Sequence, residues 1–571
     1  MRDKISTDIQ KSYNKKPNVL FINLPSVPFK SILESFDGTA RVVQPLSMPM
    51  GILYLSSYIK KYNRVERVAI LDYVLHLAEI PNYRDVNDYI SKIAKKNIDF
   101  VPDVLAFSLI FSTSQPFFDA SVSVLKNIWP KATVIVGGVH ATNCAKQLLQ
   151  NKNVDFVIKG EGEMTFSEFI GQYSYAKPIC VDGIYSKEDF CSATLPKLSK
   201  HVENLDSIPF PDWGIIDMES YVNARGRKKN IGSSMDRRIA TIMTSRGCPF
   251  RCTFCSSHTV HGRKMRFRSV DNVIEEIKLL YKLYGVNLFI PEDDLFTANR
   301  NRVISLLAIL GELQIPNIEL QFPNALSVNT LDTRVLDALI STGMRIASLA
   351  IESGSEYVQK YIIKKNCKLN KAKELVAYLK NKGIIVRCYY ILGFPHETKE
   401  QMLETIKYAK ELEADWSLFN IAVPLIGSEM YDQFVQMGCI RDNIDIWSEA
   451  FYQERAFDTP EVTAVELKKI AYRANLEVNF INNVNLINGN FNRALELFND
   501  IVTTYPFHII GWYCMVKCYE GLGDEEQALQ IKKKIRVLIE SDKRTSEIFD
   551  NYKDLMQGFN VERTYTVNKH H

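Results

Sequence analysis

Short apolar runs alternate with helix-periodic segments in the first third of the chain. The runs at 18–24, 68–72, 104–108, 133–136 and 156–158 predict strands, and the segments 51–61, 117–129 and 143–150 predict helices. Strands that alternate with amphipathic helices form a parallel sheet covered on both faces. Residues 17–170 are therefore predicted to be an α/β domain whose ligand lies beyond the carboxyl ends of the strands.

A second alternating series occupies residues 236–430. It predicts strands at 239–245, 286–292, 317–322, 346–352, 384–392 and 416–423, and helices at 270–284, 299–313, 331–342, 369–382 and 399–412. Six such units predict a partial (β/α)6 barrel, with its chemistry at the carboxyl ends of the strands. The intervening residues 171–235 are less periodic and include a basic stretch at 225–230, so they are predicted to be a linker with little core of its own.

The pattern becomes entirely helical in the predicted C-terminal domain, 431–571. Gly489, Ala494 and Leu495 recur as Gly523, Ala528 and Leu529 at a spacing of 34 residues, which is typical of tetratricopeptide (TPR) helix pairs. Two TPR-like repeats are few for a free-standing solenoid. They indicate either a helical cap on the barrel, which is the preferred interpretation, or a docking surface for a peptide or carrier. Residues 1–16 are predicted to be a polar tail.

Composition and charge narrow the function classes only modestly. The 571 residues are 46% hydrophobic and 24% charged, which is ordinary globular usage. The net charge of +4 comes without long runs of one sign and gives no reason to expect a nucleic-acid partner. No apolar stretch approaches the roughly 20 residues of a transmembrane helix, and the N-terminus lacks the apolar core of a signal peptide. An odd count of 11 cysteines favours reduced thiols, so we expect a cytoplasmic protein.

Three cysteines crowd into the loop after the first predicted barrel strand. Cys248, Cys252 and Cys255 supply thiolates, which are soft ligands for zinc or iron–sulfur clusters. Closed structural zinc sites usually have four ligands, whereas no fourth cysteine is close in sequence here. A cubane [4Fe–4S] cluster held by three thiolates, with one iron open to a small molecule, is favoured. The alternatives are a zinc site completed by His258 or His261, and three structural cysteines without metal.

The CxxxCxxC string at 248–255 resembles the motif of the radical S-adenosylmethionine (SAM) enzymes. That family implies a SAM molecule on the open iron, whose reductive cleavage gives a 5′-deoxyadenosyl radical. Segments at the predicted strand ends are similar to the family's SAM-binding pattern, although Ala325 stands where glycine is usual. The resemblance implies that the cluster ligands are the three cysteines and that SAM is held by Phe254, Asp294, Asn324, Glu352, Ser353, Gly393 and Val423.

Each strand-end segment also has a purely structural interpretation. Gly393 can merely shape a turn, and Glu352 or Asp294 can merely cap the helix that follows. Arg387 and Tyr389 alternate on one face of the fifth strand, where they face the barrel lumen or serve packing. They are left unassigned, and no residue is predicted to be catalytic.

The upstream domain resembles the cobalamin-binding domain that precedes many radical SAM barrels. The resemblance is in the strand 19–24, the turns at 137–142 and 160–163, and the bridging string 205–211. It implies a Rossmann-like or flavodoxin-like fold in which Gly137 and Gly138 border the nucleotide tail of cobalamin and His140 lies near that tail. The first strand is not followed by DxHxxG, so no histidine is offered to cobalt there. The alternative is a flavodoxin-like sheet that binds another nucleotide, or none.

Together these resemblances predict a cobalamin-dependent radical SAM methyltransferase, in a superfamily that also holds the anaerobic Mg-protoporphyrin ester cyclases. One SAM would methylate cobalt and a second would generate the radical, so that an unactivated carbon takes its methyl group from methylcobalamin. An external donor such as flavodoxin or ferredoxin would supply the electrons. Methylthiotransferases are disfavoured because residues 1–170 contain only Cys144. The alternatives are oxidative cyclisation or rearrangement without methyl transfer, and a non-catalytic TPR-type binding protein. A small molecule, a lipid and a peptide all stay open as substrate.

Overall fold

The computed structural model describes residues 16–37, 42, 44, 46–62, 64–174, 179–191, 197–223, 237–440 and 455–559. The predicted polar tail, apart from Lys16, and the basic stretch 225–230 lie outside these residues.

The N-terminal domain is built on a six-stranded sheet. The strand order is β2-β1-β3-β4-β5-β6, with β1 to β5 parallel and β6 antiparallel to β5. The central strands are buried on both faces, which explains why they read as continuous apolar runs. The predicted parallel α/β sheet is confirmed, and its order is the flavodoxin-like one. The strands are β1 (Asn18–Asn23), β2 (Arg67–Asp72), β3 (Val104–Ser108), β4 (Thr133–Gly137), β5 (Phe156–Ile158) and β6 (Ile184–Tyr185).

Helices cover both faces of this sheet. The helix predicted at 143–150 is wrong in its bounds, because the chain forms two short helices that meet at Cys144, whose φ and ψ of −115° and 22° are not helical. A 3₁₀ segment, Tyr73–Asn82, follows β2. The α-helices are α1 (Phe29–Glu34), α2 (Met50–Lys61), α3 (Val86–Asn97), α4 (Gln115–Ile128), α5 (Val139–Asn143), α6 (Ala145–Leu148) and α7 (Glu163–Ser174).

The segment predicted as a linker bridges the two domains. Its strand β6 extends the N-terminal sheet, and its short helix is α8 (Met218–Val222). Leu205, Trp213 and Tyr221 are buried in the same core as the barrel. The Tyr221 hydroxyl also donates to Asp72 at the end of β2. The described part of the segment therefore lends its apolar side chains to the barrel core.

The barrel strands are all parallel and fall into two groups, β11-β10-β7 and β12-β13-β14-β15. The strand predicted at 317–322 is present only as the short β11, and a second short strand, β12, follows a turn in which Ala325 has a φ of +65°. The strands are β7 (Ile239–Ile242), β10 (Leu288–Pro291), β11 (Glu319–Leu320), β12 (Leu326–Ser327), β13 (Ile346–Glu352), β14 (Ile385–Leu392) and β15 (Trp416–Ile421), with an antiparallel hairpin of β8 (Ser245–Arg246) and β9 (Arg266–Phe267).

The five predicted barrel helices are confirmed. Polar caps explain their starts: Ser269 and Asp332 accept backbone N–H groups, and Thr398 forms a capping box with Gln401. The helices of this domain are α9 (His258–His261), α10 (Val270–Tyr284), α11 (Arg300–Glu312), α12 (Thr333–Ser341), α13 (Leu369–Asn381), α14 (Lys399–Glu411) and α15 (Glu429–Gln436).

The C-terminal region is helical, as predicted, and it covers the last barrel strand. β15 is an edge strand, and the Asn479 side chain both donates to and accepts from the backbone of Ser417 at 2.6 Å. Its amide thus occupies backbone groups that an edge leaves open. Among the described residues no helix is long and apolar enough to cross a membrane. The helices are α16 (Ala464–Leu476), α17 (Val484–Ile487), α18 (Phe491–Thr504), α19 (Ile509–Leu522), α20 (Glu525–Ser541) and α21 (Lys543–Tyr552).

Candidate active site

The cysteine loop follows β8 at the carboxyl edge of the barrel. Its entry is fixed by Gly247, whose φ of +90° and close approach to the Lys264 carbonyl exclude a side chain. Its middle is fixed by Thr253, which donates from its N–H to the Ile363 carbonyl at 3.1 Å. The three thiols are unbridged and partly exposed. The loop backbone is therefore held while the thiols stay available.

Burial keeps the three thiols of the loop protonated near neutral pH. Burial raises the pKa of Cys252 to about 12, and the positive charge of Lys365 is the strongest influence opposing that rise. Burial also raises the pKa of Cys248 and Cys255. Uptake of a metal cluster by such thiols must release protons.

The donor set favours an iron–sulfur cluster over the zinc alternative. His261 Nδ1 lies 2.8 Å from a carboxylate oxygen of Glu161, so this nitrogen already has a partner. Within the described ranges, no group of three or more His, Cys, Asp or Glu side chains surrounds a single metal-ion position. A cubane takes each thiolate on a different iron, so its three thiols need not converge on one point. The three free thiols of the cysteine loop are compatible with that arrangement.

Two neighbouring aspartates after β10 have different tasks. Asp293 accepts from the N–H and hydroxyl of Thr244 at 2.7 and 2.6 Å and from the Ser245 hydroxyl at 2.6 Å. The predicted Asp294 is exposed and accepts from the Ser257 hydroxyl at 2.5 Å, just beyond the last cysteine. Asp293 thus fixes the strand that leads into the cysteine loop, whereas Asp294 remains accessible beside it.

The two predicted residues at the end of β13, Glu352 and Ser353, also have different contacts. Glu352 has a φ of +69° at a break in strand register, is nearly buried, and pairs with Lys365 at 2.6 Å. Ser353 is fully buried, and its hydroxyl contacts that of Thr405 at 2.9 Å. Glu352 therefore belongs to the charged environment of the cysteines, while Ser353 anchors the strand end to α14.

The turn after β14 is held from below by a buried carboxyl group. Glu397 accepts from the N–H groups of Gly393 and Phe394 at 2.7 and 3.0 Å, and burial raises its pKa to about 8. Arg455, from beyond the barrel, donates to the Gly393 carbonyl at 2.8 Å. The ring of the predicted Phe254 lies 5.9 Å from that of Phe394. Gly393 and Phe254 are thus brought together in one rigid corner.

Two more predicted residues lie at strand ends of the same edge. Asn324 is exposed in the turn between β11 and β12, and Val423 is half-buried directly after β15. The left-handed φ of Ala325 explains why a glycine would suit that position. Arg387 and Tyr389, which were left unassigned, are half-buried on β14 between fully buried neighbours.

The glycine turn of the N-terminal domain lies at the carboxyl end of β4. Gly138 has a φ of +113°, and a side chain there would meet the Leu109 carbonyl at 2.5 Å; at Gly137 the nearest atom is 3.8 Å away. His140 is buried, with Nδ1 2.9 Å from the Ser112 hydroxyl and Nε2 2.6 Å from the Gln115 amide oxygen. Burial lowers the pKa of His140 to about 4. Its two nitrogens therefore tie the glycine turn to the segment 112–115, where α4 begins.

The same edge presents apolar side chains to solvent. The strand order reverses between β1 and β3, which is where flavodoxin-like sheets bind their ligands. On the loop after β3, Ile110 and Phe111 are 43% and 47% exposed. Exposed large apolar groups beside a glycine turn suit the face of a bulky macrocycle, as cobalamin requires.

A buried ionic network joins the two domains. Glu161 accepts both guanidinium nitrogens of Arg266, at 2.8 and 2.5 Å, and Glu163 accepts from Arg246 at 2.6 Å. Burial alone would raise the pKa of Glu161, but its bonds from Arg266 and His261 hold it well below the usual range. Both glutamates lie in the turn at 160–163 that the sequence pattern picked out. Their arginine partners lie about a hundred residues further along the chain, so no local pattern predicted the pairs.

Further contacts set the two carboxyl edges against each other. Asn143, at the end of α5, donates to the Thr259 hydroxyl at 3.0 Å, four residues after the last cysteine. Gly427, in the loop after β15, abuts the same Asn143. Ser47 donates to Glu292 at 3.1 Å. The glycine turn and the cysteine loop therefore lie at one interface between the two domains.

Comparisons with known proteins agree with this arrangement. The "Radical SAM superfamily" model matches residues 242–409, and the "B12 binding domain" model matches 38–170. The chain is 32% identical to the uncharacterized methyltransferase PH0819 of Pyrococcus horikoshii, over 69% of this chain and 79% of that protein. It is 28% identical to cytidylyl-2-hydroxyethylphosphonate methyltransferase of Streptomyces wedmorensis, over 76% and 86%. The fold is similar to that of the cobalamin-dependent SAM radical enzyme OxsB, with a TM-score of 0.61 and 15% identity over 95% and 84%.

The chain belongs to the radical SAM enzymes that carry a B12-binding domain. It is therefore an enzyme, and the cofactors of its two domains are a [4Fe–4S] cluster with SAM in the barrel and cobalamin in the N-terminal domain.

Proposed function

We propose that this enzyme methylates an unactivated carbon of its substrate. The carrying observation is the buried Glu161–Arg266 and Glu163–Arg246 network, which holds the glycine-turn edge and the cysteine-loop edge against each other. When bound, the cluster and SAM supply a substrate-activating radical and cobalamin supplies a methyl carrier. A substrate bound at this interface would be within reach of both the radical and the methyl carrier. The similarity to two methyltransferases supports methyl transfer.

The barrel residues have separate tasks in this proposal. Cys248, Cys252 and Cys255 would ligate the cluster. Asp294 and Glu352 place carboxylates beside the loop, where they suit the hydroxyl and ammonium groups of SAM. Ser353 positions the strand end through Thr405. The other proposed SAM contacts are Phe254, Asn324, Gly393 and Val423.

On the N-terminal side the contacts are neutral. Gly138, with Gly137 beside it, would let the cofactor approach the backbone. His140 would act next to the cobalamin tail by fixing the segment that carries Ser112 and Gln115, and both of its nitrogens already have these partners. This arrangement offers cobalt no free nitrogen from His140.

An external donor must reduce the cluster, and a cleft beside the cysteine loop is the proposed docking site. The cleft has a volume of about 680 Å³ and includes Pro249, Phe250, Arg300 and Arg334 among its lining residues. The two arginines share one carboxylate, that of Asp332, so the rim is positively charged. This supports an acidic donor such as flavodoxin or ferredoxin.

We also propose that helices α18 to α21 are two TPR-like pairs that serve mainly as a barrel cap. Gly489 and Gly523 share a left-handed φ of +75° and +76°, and Ala494 and Ala528 are both fully buried. The free cysteines support a reducing, cytoplasmic location.

The test does not require the natural substrate. Anaerobically reconstituted protein is incubated with hydroxocobalamin, a reductant and SAM carrying a deuterated methyl group. Mass spectrometry then follows labelled methyl on cobalamin and the release of 5′-deoxyadenosine. The proposal predicts both products, and a Cys252→Ala variant should release no 5′-deoxyadenosine.

The products separate the alternatives. Release of 5′-deoxyadenosine with no label on cobalamin would favour cyclisation or rearrangement. Absence of both products from protein that contains its cluster would favour a non-catalytic role.

A further inference from the structure

Lys365 is a buried cation outside every motif that points to the site. Its side chain is 9% exposed, and its Nζ lies 2.6 Å from the Glu352 carboxylate, whose side chain is 10% exposed. Burial alone would lower the pKa of Lys365, but the charge of Glu352 raises it, so the amine is charged. A charge so sheltered from water acts strongly on its neighbours.

The backbone around Lys365 is held in an uncommon conformation. Its neighbours Lys364 and Asn366 are both left-handed, with φ of 53° and 54°, and a π-helical turn, Val358–Ile362, precedes them. Asn329 fixes the loop by donating to the Asn366 carbonyl at 3.0 Å and accepting from the Lys368 N–H at 3.2 Å. Such strain persists only where the surroundings impose it.

The Lys365 loop is also bonded to the cysteine loop and to the end of β13. Thr253, next to Cys252, donates from its hydroxyl to the Ile362 carbonyl at 3.0 Å. Gln359 donates to the Ile351 and Ser353 carbonyls, each at 2.7 Å. Lys365 is thus fixed relative to the cysteines and to Glu352 together.

The backbone holds this cation next to the cysteine loop. Thr253, which follows Cys252, donates from its N–H to the Ile363 carbonyl at 3.1 Å, and Lys365 lies two residues further along the chain. Among the charged groups that act on the pKa of Cys252, Lys365 has the strongest effect, stronger than that of Glu352, whereas Asp294 acts more strongly than Lys365 on Cys248 and Cys255. The buried pair therefore presents its positive member to Cys252.

We propose that Lys365 tunes the [4Fe–4S] cluster by raising its reduction potential. Reduction adds one electron from the external donor to the cluster and neither forms nor breaks a bond. The added negative charge is stabilised by a fixed cation that water screens poorly. The inference rests on the proposed cluster site at the three cysteines.

The test is an EPR-monitored redox titration of the reconstituted holoenzyme without SAM. Lys365→Met removes the charge at similar length, Lys365→Arg keeps it, and Lys364→Met removes a neighbouring charge that is 45% exposed and paired with Glu429. We expect a more negative midpoint potential for Lys365→Met. The other two variants should stay close to the wild type.

A fourth variant addresses the carboxylate that Lys365→Met leaves buried and unpaired. Lys365→Met with Glu352→Gln removes the whole pair, and its midpoint should fall between those of Lys365→Met and the wild type. Equal midpoints for wild type and Lys365→Met, at full iron and sulfide content, would overturn the inference. So would loss of the cluster in both variants that lack Lys365, which would make the residue structural. A wild-type protein that takes up no cluster would instead overturn the proposed site.

Discussion

The two edges that meet at the interface between the domains differ in the charge of the side chains they carry. The barrel edge carries buried charges and unusual backbone, with Glu352 at a φ of +69° paired to Lys365. Around the glycine turn the N-terminal edge is uncharged, with exposed Ile110 and Phe111 beside a histidine whose pKa burial lowers to about 4, and its buried Glu161 and Glu163 are paired with arginines of the barrel. A charged cluster with zwitterionic SAM needs fixed counter-charges, whereas a large macrocycle needs surface contact. The difference indicates that each edge is adapted to its own cofactor.

Removing a cluster ligand should have the largest effect on activity. The loss should be confined to the chemistry of the barrel edge. Cys252→Ala should lose reductive SAM cleavage to background, because iron would have two thiolates instead of three. Cobalamin binding should persist, as measured by its visible spectrum. Cys180→Ala, at an exposed cysteine outside both edges, is the control. Equal SAM cleavage in the two variants would contradict the assignment.

Breaking the ionic network that joins the two edges should have the next largest effect, a loss in the free energy of unfolding. Arg266→Met leaves Glu161 buried without its two guanidinium bonds, and such a loss costs about 3–5 kcal/mol. Lys264→Met removes a neighbouring but exposed pair with Glu203, which should contribute little to stability because water screens it. Urea unfolding of both proteins measures the difference. Similar losses in the two would show that the network does not hold the domains together.

Two adjacent glycines of the glycine turn provide a matched pair of variants that tests cobalamin binding at the N-terminal edge. Gly138→Ala must adopt a positive φ against the Leu109 carbonyl, at a cost of about 1–3 kcal/mol, and it should weaken cobalamin binding. Gly137→Ala meets nothing closer than 3.8 Å and should bind nearly as the wild type does. Titration with hydroxocobalamin measures both. Weaker binding by Gly137→Ala than by Gly138→Ala would reverse the assignment.

The smallest effects near neutral pH are opposite pH dependences of the two edges. The raised pKa of Glu397, about 8, gives a stabilisation that is complete below its unfolded value and is lost as pH rises towards 8. The lowered pKa of His140, about 4, gives one that is present above its ordinary value and is lost as pH falls towards 4. Unfolding measured across pH should show that Glu397→Gln flattens the alkaline side and His140→Gln the acid side. The reverse assignment would contradict the burial of these groups.

Local periodicity was enough to predict most of the fold. The barrel helix α10 has the predicted bounds, because an amphipathic pattern, a serine cap and a terminal glycine agree there. The helix predicted at 143–150 is divided where Cys144 leaves the helical conformation, and the strand predicted at 317–322 is shorter than expected because Asn317, at its start, has a left-handed φ of 55°. Such breaks depend on tertiary contacts that a sequence window does not contain.

The sequence predicted those site residues that stand in contiguous motifs. It missed residues that reach the site only through the tertiary fold. The cysteines and Glu352 stand in recognisable strings, whereas Lys365 and Arg266 are ordinary basic residues in the sequence. They matter because folding buries them against Glu352 and Glu161. Buried partners of motif carboxylates thus carry information that motif resemblance alone does not supply.

The most direct test of two cofactors at one interface is a visible spectrum of anaerobically reconstituted protein titrated with hydroxocobalamin. We predict iron–sulfur absorbance together with tightly bound cobalamin in its base-off form, and without His140 on cobalt, because both nitrogens of His140 already have protein partners. Protein that holds its cluster but binds no cobalamin would contradict the account.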